Sequence, residues 1–480
     1  MNLPRALPAL PALSLCVLLS CCSSTEALRS DGGGGLDSSD GARADLRSDQ
    51  TAKAAPVYGI FQLYGDEYVE FRQKLGQSLP QYWRFVDEHV ADLGVRFTRT
   101  NTLLIWGLVE PTLGAGYRWD NDQLTDAVIQ AVYAPYPGKE MGFLAVIDPG
   151  RGGKGSPAFP SGLEREYQAY VRAAVARYNG SNEELGQHVA VKHWQVMNEP
   201  FWQLDSGAMT VGQYVELVKL TAAAVRQIDP QAKVVLGDVG GQLPAVVAAL
   251  KDGRYFDAVD LHFWCLSEPC SYQHLPAVEL RRLLDANGYS AAEIWMGEFG
   301  TFVNGSPPHS ATEQARWLVK GMLANRALGV SRILWNNLVS WTKFGGLDDS
   351  PFNFMGLLTN GEASGDPVAD VGTKRVAYYA YKRLIAETGS ARAELLGEQD
   401  GAALGVRALL FARRPDGQRF AVAWSDQGQQ LVELPCEQTD ARVVDLVPDA
   451  VGSFNETIKP CVDAKVVVEV GENPLLVAPR

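Results

Sequence analysis

Two stretches of the chain end an apolar, strand-like run on a glutamate. In Trp194-Gln195-Val196-Met197-Asn198-Glu199-Pro200 the run stops at a proline, which cannot donate to a ladder. In Ile294-Trp295-Met296-Gly297-Glu298-Phe299-Gly300 the glutamate has glycine two residues to its C-terminal side and directly before it. Roughly a hundred residues separate the two acids, room for two or three βα units. Two carboxylates facing each other across a cleft can divide one displacement at an acetal carbon between them. One protonates the departing oxygen and the other attacks the carbon. Glu199 alone also reads as a surface carboxylate in a turn, and it is the second stretch that argues otherwise.

Placing both acids in one cleft requires a parallel sheet. From Val57 the chain alternates strand-like and amphipathic segments. Strands are expected near Tyr58–Leu63 (β1), Val95–Thr100 (β2), Gly142–Ile147 (β3) and His193–Met197 (β4). Four more follow near Lys233–Gly237 (β5), Ala258–His262 (β6), Glu293–Gly297 (β7) and Arg332–Trp335 (β8). Tyr214, Leu217, Val218, Thr221, Val225 and Ile228 fall on one helical face between β4 and β5. Eight such units make an α/β fold, a (β/α)8 TIM barrel, spanning residues 56–390. The competing doubly wound sheet has no strand-linked Gly-x-Gly-x-x-Gly to support it. In a barrel, Glu199 and Glu298 stand after β4 and β7, at the end where catalytic groups gather.

At these residues the chain resembles clan A of the glycoside hydrolases, most nearly families 39 and 5. The resemblance rests on the Asn198-Glu199 pair, on Glu298, and on the runs YVRAAVARYNG…VKHWQVMNEP and YVELVKLTAAAVRQIDPQAKVVLGDV. It covers roughly Val57 to Thr388 and the kind of domain that follows. It implies retaining hydrolysis of β-glycosidic bonds in an oligo- or polysaccharide, without cofactor or metal. Glu199 would be the acid/base, its pKa raised by the neighbouring carboxylate and by desolvation, and Glu298 the nucleophile. Arg99, ending β2, would keep Glu298 ionised, and Asn198 would donate to the sugar 2-hydroxyl. His262 and Trp264 fall where the families place a histidine and, two residues on, a tyrosine beside the nucleophile. Trp264 is a departure, since an indole donates but cannot share a proton. Trp335 falls where the clan stacks a ring under the sugar, with Trp106, Trp202 and Trp341 as neighbouring loop aromatics that could also be simple packing. Transglycosylation on the same machinery, and glycan binding without turnover, are the alternative readings.

The rest of the chain points to export. Residues 1–22 carry Arg5 and a short apolar core, and Leu18-Leu19-Ser20-Cys21 resembles the bacterial lipoprotein cleavage box, with Cys21 lipidated. An ordinary secretory signal is the alternative. The membrane would then be touched only through that lipid anchor, with the protein secreted or tethered in the cell envelope. Residues 23–55, with four consecutive glycines at Gly32–Gly35, read as a flexible tether. Residues 391–480 carry short β-rich pieces and read as a small antiparallel β-sandwich, more a structural appendage than a carbohydrate-binding module. Cys265 with Cys270, and Cys436 with Cys461, are disulfide candidates. A formal charge of −13 argues against a nucleic-acid partner. No Gly-x-Ser-x-Gly or His-Glu-x-x-His occurs. Gly150 to Gly155 lacks the Gly-Lys-Ser/Thr ending of a phosphate loop and reads as the loop after β3. Nothing in the chain indicates an oligomeric state.

Overall fold

The computed structural model describes residues 57–480 apart from 65–68, 101–103, 122–124, 152–158, 252–253, 266–270, 275, 304–309, 342–349, 361–370, 390–392, 400–404, 415 and 449–451. The expected leader, Cys21 and tether therefore lie outside the described residues, as does Cys270.

Eight parallel strands close a barrel: β1 Val57–Phe61, β2 Phe97–Arg99, β3 Gly142–Asp148, β4 His193–Val196, β5 Lys233–Leu236, β6 Ala258–Cys265, β7 Glu293–Thr301 and β8 Val330–Trp335. Each pairs with the next, and β8 pairs back onto β1 through Val57↔Arg332 to Ile60↔Trp335. Helices α1 Leu79–Leu93, α2 Thr125–Tyr133, α3 Glu164–Tyr178, α4 Val211–Ile228, α5 Leu243–Ala249, α6 Pro276–Ala286, α7 Ala311–Ala327 and α8 Val376–Thr388 follow the strands in turn. Local sequence starts several of them. Ser78 with Gln81, Thr210 with Gln213 and Ser310 with Glu313 form capping boxes at α1, α4 and α7. Helix α1 stops at Gly94, whose φ of 75° suits glycine. The apolar face expected on α4 is the buried one, with Tyr214, Leu217, Val218, Thr221 and Val225 all inside.

The barrel interior is filled by Phe61, Phe97, Leu144, Val235, Ala258, Trp295 and Leu334, one residue from each of seven strands. Two strands run further than expected. β6 reaches Cys265 and β7 reaches Thr301, so Glu298 lies within a strand rather than after one.

Eight antiparallel strands follow in two sheets: β9 Ala393–Glu398, β10 Val406–Arg413, β11 Arg419–Ser425, β12 Gln430–Pro435, β13 Asp440–Asp445, β14 Glu456–Pro460, β15 Lys465–Val470 and β16 Leu475–Pro479. Six form one sheet in the order β9-β10-β11-β16-β13-β14, and β12 pairs with β15 in the other. Val432, Leu434, Val466 and Val468 meet Ala408, Ala421, Ala423 and Val477 between the sheets. The other face of the larger sheet joins the barrel, since Leu409, Phe411, Phe420, Val422 and Trp424 belong to the same core as the helices. Arg326 of α7 donates to the carbonyls of Thr388 and Ala393 at that seam (2.5 and 3.1 Å). Cys436 is bonded to Cys461. Cys265 is also in a disulfide.

Candidate active site

Backbone geometry aims the two glutamates. β4 ends at Val196, and Met197 takes φ 62°, a left-handed conformation that turns the chain out of the sheet just before Asn198-Glu199. β5 comes close there, because a Cβ on Gly237 would stand 2.5 Å from the Met197 carbonyl oxygen. On β7 the device is a bulge. Leu261 pairs with Met296 but His262 pairs with Glu298, so Gly297 is the extra residue. Its N–H donates to Asp260 Oδ1 at 2.6 Å, and a Cβ in its place would meet that oxygen at 2.4 Å. Only glycine fits, and the bulge sets Glu298 opposite His262.

Arg99 joins these elements. Its guanidinium, fully buried, lies 3.0 Å from Glu298 Oε1 and 3.1 Å from Asp260 Oδ2, and it donates to Asn198 Oδ1. With its oxygen so engaged, Asn198 presents its NH2 as the free donor. His262 Nδ1 is 2.7 Å from Glu199 Oε1 and 3.5 Å from Glu298 Oε1, and its Nε2 is 3.3 Å from Asp260 Oδ2. Arg99 Nη1 stands 2.8 Å from the same Nε2, so Arg99 and His262 converge on Asp260. The other oxygen of Glu199 accepts from Trp202 Nε1 at 3.1 Å.

The protonation pattern differs from the one the resemblance implies. Burial pushes Glu298 up to about 7, against the pull of His262 and Arg99 and with the help of the Glu199 and Asp260 charges. Burial also pushes Glu199 up, but the hydrogen bond from His262, its charge and the Trp202 N–H outweigh it and hold Glu199 below the usual range. Burial pulls His262 down, yet the surrounding carboxylates, Glu298 first, hold it well above an ordinary histidine. At neutral pH Glu298 is therefore near its midpoint, while Glu199 is held on the ionised side.

Arg99, Asn198, Glu199, His262 and Glu298 are brought together. Trp264 has apolar neighbours. It packs edge-on against Phe352 (4.6 Å) beside Phe302, Phe354 and Trp341, and Cys265 follows it in β6. Trp335 corrects the expectation of a stacking platform. It is 0% exposed, its N–H is given to the Met355 carbonyl at 3.1 Å, and Phe299 and Trp317 cover it edge-on. Trp106 is equally buried and bonds Glu110. Two acids escaped the sequence reading. Asp260 bridges Arg99, His262 and the bulge, and Asp238 accepts the backbone N–H of His262 at 3.2 Å and of Gly240 at 3.0 Å. Alternation along β6 would have shown that Asp260 shares a face with His262.

Among the described residues, Glu199, His262 and Glu298 are the one cluster with three donors close enough for a metal ion, all within 4.8 Å of one another. Its character is wrong for a cation, because the Arg99 guanidinium already lies 3.0 Å from Glu298.

A closed (β/α)8 barrel with this cluster at the C-terminal ends of its strands, continued by a β-sandwich, has the fold of the clan A glycoside hydrolases. By sequence the chain matches no family model and no curated protein. By structure it is similar to a family 39 glycoside hydrolase from the gut symbiont Bacteroides cellulosilyticus WH2, with a TM-score of 0.64, 16% identity, and 89% of this chain and 81% of that one covered. It is also similar to a family 39 β-xylosidase from Caulobacter crescentus (TM-score 0.57, 18% identity, 88% and 96% covered). An α-L-arabinofuranosidase from Thermotoga maritima gives 0.56, 15%, 88% and 96%. At these identities the likeness is one of fold.

Proposed function

We propose that the chain is an exported retaining glycosidase that cleaves β-O-glycosidic bonds in oligo- or polysaccharides. The observation that carries this reading is the spacing of the acids. Carboxylate oxygens of Glu199 and Glu298 lie within 4.8 Å, with His262 Nδ1 in reach of both. Retaining enzymes hold such a pair roughly 5–5.5 Å apart, whereas inverting ones leave about 6.5–9.5 Å for a water.

Glu298, ionised, attacks the anomeric carbon. The bond to the leaving oxygen breaks as Glu199 gives that oxygen a proton, and a glycosyl-Glu298 ester forms. Glu199 then takes a proton from water, whose oxygen attacks the anomeric carbon and frees Glu298. The resting site has its loose proton on Glu298 rather than Glu199, so one transfer precedes the chemistry. His262 Nδ1 passes its proton to Glu199 Oε1 and takes the one on Glu298. His262 is unchanged, and Arg99, 3.0 Å from Glu298, stabilises the anion left behind.

Intact-mass spectrometry with peptide mapping, after exposure to activated 2-fluoro xylosides, glucosides and arabinofuranosides, tests the reading. A glycosyl adduct on Glu298 is expected. An adduct on another residue, or none from any sugar while the folded protein binds glycans without turnover, would overturn it. Export is supported by the leader pattern ending at Cys21 and by disulfides at Cys265 and at Cys436–Cys461. Protein recovered from its own cells should begin at an acylated Cys21; an intact Met1 terminus with reduced thiols would refute it.

A further inference from the structure

We propose that Trp202 forms the leaving-group subsite: its indole N–H holds Glu199 while its exposed ring stacks on the sugar that the reaction releases. The inference rests on the glycosidase reading and names which part of the substrate this residue meets.

The sequence sets the arrangement. Pro200 follows Glu199 and caps the short helix Phe201–Asp205, in which the Trp202 N–H donates to the Glu199 carbonyl at 3.2 Å. Three residues apart in a helical turn, the two side chains share a face, and the indole nitrogen reaches Glu199 Oε2 at 3.1 Å. Phe201 backs the ring at 4.8 Å, and its Cβ lies 3.2 Å from where a Cβ on Gly240 would stand, so the turn is packed from below.

Burial separates Trp202 from its fellows. Of eleven tryptophans, Trp106, Trp194, Trp295, Trp335 and Trp424 are fully buried, and Trp202, at 37%, is the most exposed. A large apolar ring left open beside a reacting carboxylate has a surface to cover. What lies there follows from the chemistry. The indole nitrogen touches the same Glu199 carboxylate that gives the leaving oxygen its proton, so the ring stands beside the group that the reaction releases. The class of occupant is a pyranose or furanose offering its C–H face, which favours a glycan over a small alcohol as aglycone. The indole N–H adds to the forces holding Glu199 below the usual range, so both parts of the side chain act on the same step.

The test compares xylobiose, cellobiose and mannobiose with the matching β-glycosyl fluorides, whose leaving group has no ring. For whichever sugar the wild type turns over, Trp202→Leu should lower the disaccharide-to-fluoride ratio of kcat/KM at least tenfold. Trp202→Phe keeps a ring and loses the N–H. It should hold that ratio within threefold while moving the acid limb of the pH profile upward, because ionised Glu199 has lost a donor. An unchanged ratio in Trp202→Leu, or an equal fall on both substrates, would overturn the subsite. Wild-type turnover of none of the six would instead count against the glycosidase reading itself, and the subsite would fall with it.

Discussion

The two ends of the barrel each bury a histidine, an arginine and a glutamate, and they treat them in opposite ways. At the N-terminal end, Glu293 accepts from Lys233, from Trp295 Nε1 at 2.8 Å and from Ser331 Oγ at 3.2 Å, with Arg332 Nε 3.9 Å away. Burial would raise Glu293, but Lys233 and its other partners hold it below the usual range. Burial and the two cations push His193 down to about 3. Arg332 is pulled down to about 10 by burial while stacking between Phe97 (4.2 Å) and Trp295 (4.4 Å). Two cations face one carboxylate, and Glu293 and His193 are both driven away from a neutral midpoint. At the C-terminal end, Glu199, Glu298 and Asp260 crowd around Arg99 and His262. There the acids are in excess, and one of them is left near its midpoint. The lesson is that burial alone does not make a reactive site; the ratio of acids to cations does.

The sharpest way to break this contrast is to neutralise one glutamate at each end. Glu298→Gln should lower kcat by at least about 10⁴ with the fold intact, because the nucleophile is gone. Glu293→Gln should leave turnover near wild type and cost about 2–4 kcal/mol of stability, because it leaves buried cations without a partner. Steady-state kinetics and thermal melts on both variants give the answer. Equal losses of activity would erase the distinction between the ends.

That distinction was half legible in the sequence. Glu199 and Glu298 could be read because each closes an apolar run, and Arg99, Asn198 and His262 because they fall where the resemblance to clan A places such residues, at strand ends that converge in a barrel. The charge pattern could not be read. It depends on His262 reaching Glu199, which inverted the expected order of the two pKa values. The bulge at Gly297 was invisible because register belongs to the pair of strands, not to one. Trp335 was correctly placed at the end of β8, but its covering by Met355, Phe299 and Trp317 comes from other segments. In the C-terminal domain β-rich composition was legible, and β15 turns Val466, Val468 and Val470 inside. The division of eight strands into sheets of six and two had no local signal.

The same contrast sets stability against pH with opposite signs. Glu298 is raised in the folded protein, so its contribution is full below about 4.5 and is lost as pH climbs through about 7. Glu298→Gln should therefore match wild type near pH 4.5 and exceed it by up to about 3 kcal/mol at pH 8. Glu293 is lowered, so its contribution is present above the usual glutamate value and is lost as pH falls through the folded one. Glu293→Gln should be worst at neutral pH and approach wild type in acid. Melting curves of both variants between about pH 3 and 8 check the crossing, and parallel curves would refute the assignment.

The finest effect is in the rate profile. The productive state carries one proton shared by Glu199 and Glu298, whichever holds it at rest, because His262 connects them. Such a pair titrates as a unit, and kcat/KM reports its two apparent values. The acid limb should lie below the ordinary glutamate value, since Glu199 is lowered, and the basic limb near 7, since Glu298 is raised. Above the upper limb both glutamates are ionised, no proton is left for the leaving oxygen, and kcat/KM should fall tenfold per pH unit. A substrate with a leaving group that needs no proton should lose that fall and instead rise through about 7 to a plateau, as Glu298 becomes fully ionised. If instead the basic limb survives with such a substrate, the titrating group near 7 is not the proton source, and His262 does not connect the two acids.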